Sequence, residues 1–365
     1  MEEKNHIDSM FHKEANSSLQ ASSLKVEVKN TTVGMLIEML ENDAIDLQPE
    51  FQRNSNLWPS RKQSELIESI ALQLPLPSFY FYIDAKRKKW VVIDGLQRLC
   101  TFKNFFVDNT LKIHDLEILS QLNGQTSTDL DFFDRTNMKM FPVTLNVISG
   151  DVSAYAVSLI FKRVNSAGLQ LKPAEIRNAL FQGQATQLLA EMVKLPIFIK
   201  LVSNHISTRR MADRDYATRY LAFLLGSFED YKGHMEQFLF DAMRFVNGLP
   251  ETSIPSILEK FSASLEFCMR LFGVEAFRIP RQKDAKRKNS ISLALFEILT
   301  VSFSRLSDKQ ETSILKHRDN FLKDYRHMFE DSMLKDAFTS SMGSSKKTRL
   351  RFEAIQTLIV KYSVP

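Results

Sequence analysis

Five consecutive residues concentrate the chemistry of this chain: Asp94-Gly95-Leu96-Gln97-Arg98. The run before them, Trp90-Val91-Val92-Ile93, has the β-branched and aromatic character of a strand. A helical pattern follows over residues 96–108, so the five sit at a strand-to-helix junction. A glycine there lets backbone approach a ligand closely. A helix N-terminus offers N–H groups suited to phosphate, and an arginine one turn in adds a planar cationic fork. Asp94 has the chemistry to orient a nucleophile, bind a metal or act as a base. Alone, the same residues also describe an Asp-Gly turn beside a surface arginine. A second segment, Pro49-Glu50-Phe51-Gln52-Arg53-Asn54 with Trp58 after it, suits either the wall of a cleft or a polar loop anchored by its tryptophan. A third runs from Arg163-Val164-Asn165 through Gly168 to Glu175-Ile176-Arg177-Asn178. Asn165 and Gly168 suit a loop with left-handed residues, and side-chain caps would stabilise the same turn without a ligand.

The elements that position these segments follow from periodicity. Residues 1–30 read as a loosely ordered polar leader. Thr32 is an N-cap candidate for a helix carrying Met35, Leu36 and Leu40. Residues 45–48 read as a short strand. Leu66, Ile67, Ile70 and Ala71 form an apolar stripe on a helix over 59–72, which Pro75 and Pro77 stop. Strands are expected at 79–83 and 90–93, joined by the charged tip Lys86-Arg87-Lys88-Lys89. Residues 109–150 read as short strands and loops, and helices follow at 151–163 and from Pro173 to Gln182. Beyond residue 185 helical periodicity dominates, at 213–226, 231–247, 254–272, 290–306, 310–329 and 346–362. The expected organisation is a leader (1–30), a mixed domain (31–185) and a helical domain (186–365), with fold class α+β.

Composition excludes several classes. Eleven glycines and 28 phenylalanines in 365 residues disfavour a Gly-rich dinucleotide fold. Two separated cysteines, Cys100 and Cys268, cannot build a disulfide framework or a structural zinc site. No apolar run is long enough for a membrane span. The first thirty residues lack a secretory pattern, so a cytoplasmic setting without a membrane partner is expected. There is no HExxH, Walker A or G-x-S-x-G motif. Residues 1–185 carry a net charge of −2 and residues 186–365 one of +7, which points to an anionic partner for the second half. Two basic stretches stand out there: residues 278–288, and Lys346, Lys347, Arg349 and Arg351. Each reads as a DNA phosphate contact or as solvated loop charge. The run Arg209-Arg210-Met211-Ala212-Asp213-Arg214-Asp215, with Arg219, reads as cleft-directed or as structural first-turn charge.

Taken in order, the segments resemble the bacterial group defined by the N-terminal domain of the GmrSD restriction endonucleases. Its pattern is P-x-[FY]-Q-R, a tryptophan, an L-I-E-S-I-like helix, a strand hairpin, D-G-Q-Q-R-L-T-T, and later F-x-R-[IVL]-N with E-[IL]-R. The matching residues are Pro49 to Arg53, Trp58, Leu66-Ile67-Glu68-Ser69-Ile70, Asp94 to Leu99, Phe161 to Asn165, and Glu175 to Arg177. Leu96 replaces a motif glutamine and Cys100 a motif threonine. The resemblance implies a ParB/sulfiredoxin-like N-terminal domain followed by an all-helical C-terminal domain, and a DNA endonuclease or nucleotide hydrolase of restriction or phage-defence type. It also implies an NTP and a divalent cation such as Mg2+ as cofactors, with no metal ligands identified. Within it, Asp94 is the acid/base or metal-orienting group, Gly95 permits phosphate approach, Gln97 positions a nucleophile or nucleotide oxygen, and Arg98 clamps phosphate. Gln52 and Arg53 face them, and Asn165 holds its loop. Two other readings are open: a non-catalytic nucleotide- or DNA-binding regulator, and a subunit of a larger restriction complex or homo-oligomer.

Overall fold

In the computed structural model, Thr32 closes a strand and opens a helix. Its hydroxyl accepts from Met35 N at 3.3 Å, which caps orphan N–H groups of the first turn. The structure describes residues 25–47, 58–84, 88–149, 154–164, 172–280, 290–340 and 343–363. They fall into two compact units divided between Lys172 and Pro173. The sequence boundary near 185 thus lies inside the second unit.

The first unit contains β1 (Lys25–Thr32), α1 (Val33–Glu41), β2 (Ile45–Asp46), α2 (Ser60–Ala71), β3 (Phe79–Asp84), β4 (Lys89–Asp94) and α3 (Leu96–Phe102). A π-helical turn (Lys103–Val107) continues α3, and α4 (Phe132–Met140), β5 (Pro142–Ser149) and α5 (Ala154–Val164) follow. The strands form one mixed sheet in the order β1-β5-β3-β4-β2. β1 is antiparallel to β5, β5 parallel to β3, β3 antiparallel to β4, and β4 parallel to β2. The β3–β4 register shifts between Tyr80 and Phe81, just before the strand ends that carry the Asp94 motif.

Alternation decides which face is buried. Phe79 and Phe81 of β3, Val92 of β4, and Val143, Leu145 and Val147 of β5 join one core with Leu36, Ile37, Leu66, Ile67, Ile70 and Phe102. The apolar stripe expected on α2 is therefore its buried face. Two elements differ from the sequence reading. Residues 25–30, expected as leader, are paired in β1, whose side chains there are all exposed, so no apolar alternation marks the strand. Residues 132–140, expected as loop, form α4, capped by Asp131 through a 2.8 Å bond to Asp134 N; Met138 is its buried residue.

The second unit contains only helices among its described residues. They are α6 (Pro173–Leu180), α7 (Gln184–Met192), α8 (Pro196–Leu201), α9 (Ala212–Leu225), α10 (Met235–Gly248), α11 (Ile254–Phe272), α12 (Leu293–Phe303), α13 (Asp308–Lys316), α14 (Arg318–His327), α15 (Ser332–Thr339) and α16 (Ser345–Ser363). The single helix expected at 310–329 breaks at His317, the C-cap of α13 and N-cap of α14. The abundant phenylalanines have their use here: Phe296 of α12 contacts the rings of Phe198, Tyr216, Phe261 and Phe277. Helix α12 is buried from Ala294 through Phe303, including Glu297.

Candidate functional site

β4 delivers Asp94 to the sheet end, and Gly95 turns the chain into α3 with φ +100. An L-residue is strained at that angle. A Cβ at Gly95 would also lie 2.4 Å from Phe79 Cδ1 and 3.3 Å from Arg98 Nη2. The close approach that demands glycine here is that of the protein's own Phe79 ring. Leu99 N then donates to Gly95 O at 2.9 Å, the first bond of the helix.

Arg98 is buried and turned inward. Nη2 donates to Asp94 Oδ2 at 3.0 Å and to Ser78 O at 3.1 Å, and Nη1 donates to Pro77 O. The guanidinium lies over the Phe79 ring, 4.3 Å from its centroid. Burial holds it below its ordinary pKa, and the neighbouring Asp94 carboxylate offsets part of that. The fork expected to hold phosphate is committed to the β3 entry and to Asp94. Asp94 remains partly exposed.

Gln97 is half-buried and accepts from Trp58 N at 3.2 Å through Oε1. Trp58 O accepts from Gln63 Nε2 at 3.0 Å, and Gln63 Oε1 accepts from Asn104 Nδ2 at 3.1 Å. Trp58 packs on the core, with Lys62 Nζ 4.6 Å above its ring. Leu96 also packs on that core, so the departure from the family glutamine is accommodated by apolar contact.

The structure thus brings Asp94, Gly95, Gln97 and Arg98 together and adds Trp58. Gln52, Arg53 and Asn165 lie outside the described residues. Sequence reasoning missed Gln63 and Asn104, whose signal would have been polar residues on otherwise core-facing helices. Glu68, matched in the L-I-E-S-I segment, accepts from Glu117 N at 3.2 Å and from Ile118 N and Leu119 N at 2.8 Å each. Burial pushes its pKa up, but the three donors together pull it below the usual glutamate value.

The E-[IL]-R segment belongs to the helical unit. Glu175 is buried against Arg210, whose Nη2 lies 2.8 Å from its carboxylate. Arg177 is buried between Asp215 and Glu236, the latter at 2.7 Å. Asn178 Oδ1 accepts from Arg214 Nη1 at 2.6 Å. The Arg209–Asp215 run is therefore a structural counterpart of Glu175-Ile176-Arg177-Asn178. Asp215 lies 3.6 Å from Arg219, Arg219 donates to Glu297 at 3.0 Å, and Glu297 accepts from Arg351 at 3.3 Å. Asp213 accepts from Arg214 N at 3.0 Å, and burial raises its pKa.

Part of the basic surface expected for DNA is also used internally. Arg351 is fully buried, Lys347 pairs with Asp336 at 2.6 Å, and Arg349 donates to Glu229 O at 2.7 Å. Residues 281–288 of the other basic stretch lie outside the described residues. Among the described residues no group of three His, Cys, Asp or Glu side chains is arranged to hold a metal. No helix there is long and apolar enough to cross a membrane.

Comparison with curated proteins and with solved structures gave no match. Residues 36–182 match the sequence model of the family described as GmrSD restriction endonuclease, N-terminal domain. The matched span begins at the apolar stripe of α1, contains the whole Asp94-to-Asn104 arrangement, and ends just past α6. Over residues 36–182 this chain is similar to the N-terminal domain of the GmrSD restriction endonucleases.

Proposed function

We propose that this chain is a phosphate-directed hydrolase of restriction or phage-defence type, acting on DNA or a nucleoside triphosphate, with its N-terminal unit a variant of the ParB/sulfiredoxin-like fold. The observation that carries this reading is the Asp94–Arg98 pair at a strand-to-helix turn, beside Gln97, inside a restriction-family domain. Asp94 takes a proton from water as its oxygen attacks phosphorus, and the P–O bond to the leaving group breaks. Arg98 holds the Asp94 carboxylate at the strand end, and Gln97 orients the phosphoryl group. The described donor set, one carboxylate already shared with an arginine, does not fit a divalent cation, so no step passes through one. The basic excess of the second half supplies long-range attraction for a nucleic acid.

A non-catalytic nucleotide- or DNA-binding regulator is the second reading. The inward commitment of Arg98 favours it, because a transition state then lacks that cation. The two separate in one assay. Purified protein is incubated with each of the four NTPs and with plain or modified plasmid DNA, with and without Mg2+ or Mn2+, beside Asp94→Asn. Phosphate release or nicking that Asp94→Asn abolishes supports the hydrolase. A folded wild type that binds without turnover under every condition establishes the regulator instead.

A further inference from the structure

The Gln97 amide has a fixed polarity, and a main-chain group fixes it. A glutamine side chain has a donor end and an acceptor end, and its neighbours decide which faces where. Trp58 N–H only donates, so the end of Gln97 that meets it is Oε1. Trp58 C=O only accepts, so the end of Gln63 that meets it is Nε2. Gln63 Oε1 is thereby left for Asn104, which meets it with Nδ2. All three N–H groups point the same way, from Asn104 through Gln63 and Trp58 to Gln97. Reversing any amide would set like ends face to face, and bonds aligned in one direction polarise one another. Gln63 is buried and Trp58 is pinned on the core, so the relay is anchored at its inner end. At its outer end, Gln97 Nε2 has no partner among the described residues.

We infer that Trp58 and Gln63 are positioning residues that make the site present Gln97 as a hydrogen-bond donor, and that the group it receives is a phosphoryl oxygen. This rests on the phosphate-directed reading above. A metal ion or a hydroxyl proton would have to share the amide oxygen with the Trp58 N–H, which already takes one of its lone pairs. A phosphoryl oxygen offers only lone pairs and matches the donor end. With Arg98 turned inward, Gln97 takes over the outward contact that the arginine would otherwise make.

The test uses the full chain labelled with [15N]glutamine and [15N]tryptophan. There are two tryptophans, so Trp90→Phe assigns the Trp58 backbone signal and Gln97→Glu assigns the Gln97 side-chain signal. Without ligand, the Trp58 amide is expected to be protected from solvent exchange while the Gln97 NH2 exchanges freely, and Gln63→Leu shifts both signals. Added inorganic pyrophosphate then shifts the Gln97 NH2 signal. Gln97→Glu keeps an acceptor for Trp58 but replaces the donor with an oxygen. It should weaken pyrophosphate binding by about tenfold or more, with a melting temperature within about 2 °C of wild type. Gln97→Met, which has neither end, should lose binding likewise. A protected Gln97 NH2 beside a freely exchanging Trp58 amide overturns the positioning role. Equal pyrophosphate binding by wild type and Gln97→Glu overturns the donor assignment while leaving the phosphate reading intact. A wild type that binds no pyrophosphate counts against the phosphate reading, and the exchange pattern then judges the relay by itself.

Discussion

Arg98 joins two loop carbonyls and a carboxylate with one planar group, and its stack on Phe79 leaves it little room to move. Arg98→Ala would leave Pro77 and Ser78 O without that donor, and Asp94 without its cation. Breaking such a buried pair costs about 3 kcal/mol, readable by urea denaturation. Arg98→Lys should recover only a minor part, since an ammonium cannot reproduce the fork. Gly95→Ala should cost more than about 1 kcal/mol from its positive φ alone. The contact with Phe79 adds to that. Phe79→Leu in the same chain should return the steric share and leave the conformational share, so a double-mutant cycle separates the two.

Among the elements, the loop after the π turn is tied to α2 by the Glu68 carboxylate and by His114 N donating to Ser64 Oγ at 3.1 Å. Glu68 has a folded pKa below that of an ordinary glutamate. Its contribution is therefore present above that value and is lost as pH falls through the folded pKa. Glu68→Gln should be less stable than wild type at pH 7, and the gap should close in melts taken at falling pH, as the folded pKa is passed. The junction of β4 with α3 was legible in the sequence because it is local: a β-branched run, an Asp-Gly turn, then helical spacing. The partners of Arg98 were not, because Pro77 and Ser78 lie some twenty positions away and are reached through main-chain oxygens that every residue has. β1 and α4 were missed for a different physical reason. Pairing holds the one and a cap holds the other, so neither shows the apolar pattern that burial imposes.

At the scale of the whole molecule, a line of alternating charge links α10, α6, α9, α12 and α16 through Glu236, Arg177, Asp215, Arg219, Glu297 and Arg351. A lone glutamate in the apolar run Leu293–Phe303 was its one sequence signal. Burial pushes the Glu297 pKa up, and Arg219 and Arg351 offset part of that. Glu297→Met should cost roughly 3–5 kcal/mol by leaving Arg219 and Arg351 buried without their shared anion. Adding Arg351→Met should cost less than the sum of the single changes, as denaturation of the three variants would show. The unit boundary carries its own test. A fragment of residues 173–365 keeps Glu175 and Arg177, whereas one of residues 186–365 takes Glu175 from Arg210 and Arg177 from Asp215. The shorter fragment should be less stable by roughly 3 kcal/mol or more.

The π turn at Lys103–Val107 makes the core sensitive to chain length as well as to residue identity. It closes with Asp108 N donating to Lys103 O at 2.8 Å, and such a turn holds one residue more than an α-helical turn would. That added residue sets the rotational phase of the chain that leaves the turn, where Leu111 and Ile113 enter the core. Deleting a single codon between Phe102 and Asp108 would restore α-helical phase and rotate the downstream backbone by about 100°. An in-frame deletion here would thus turn Leu111 and Ile113 away from their places in the core while every residue of the Asp94–Arg98 motif stays in the chain.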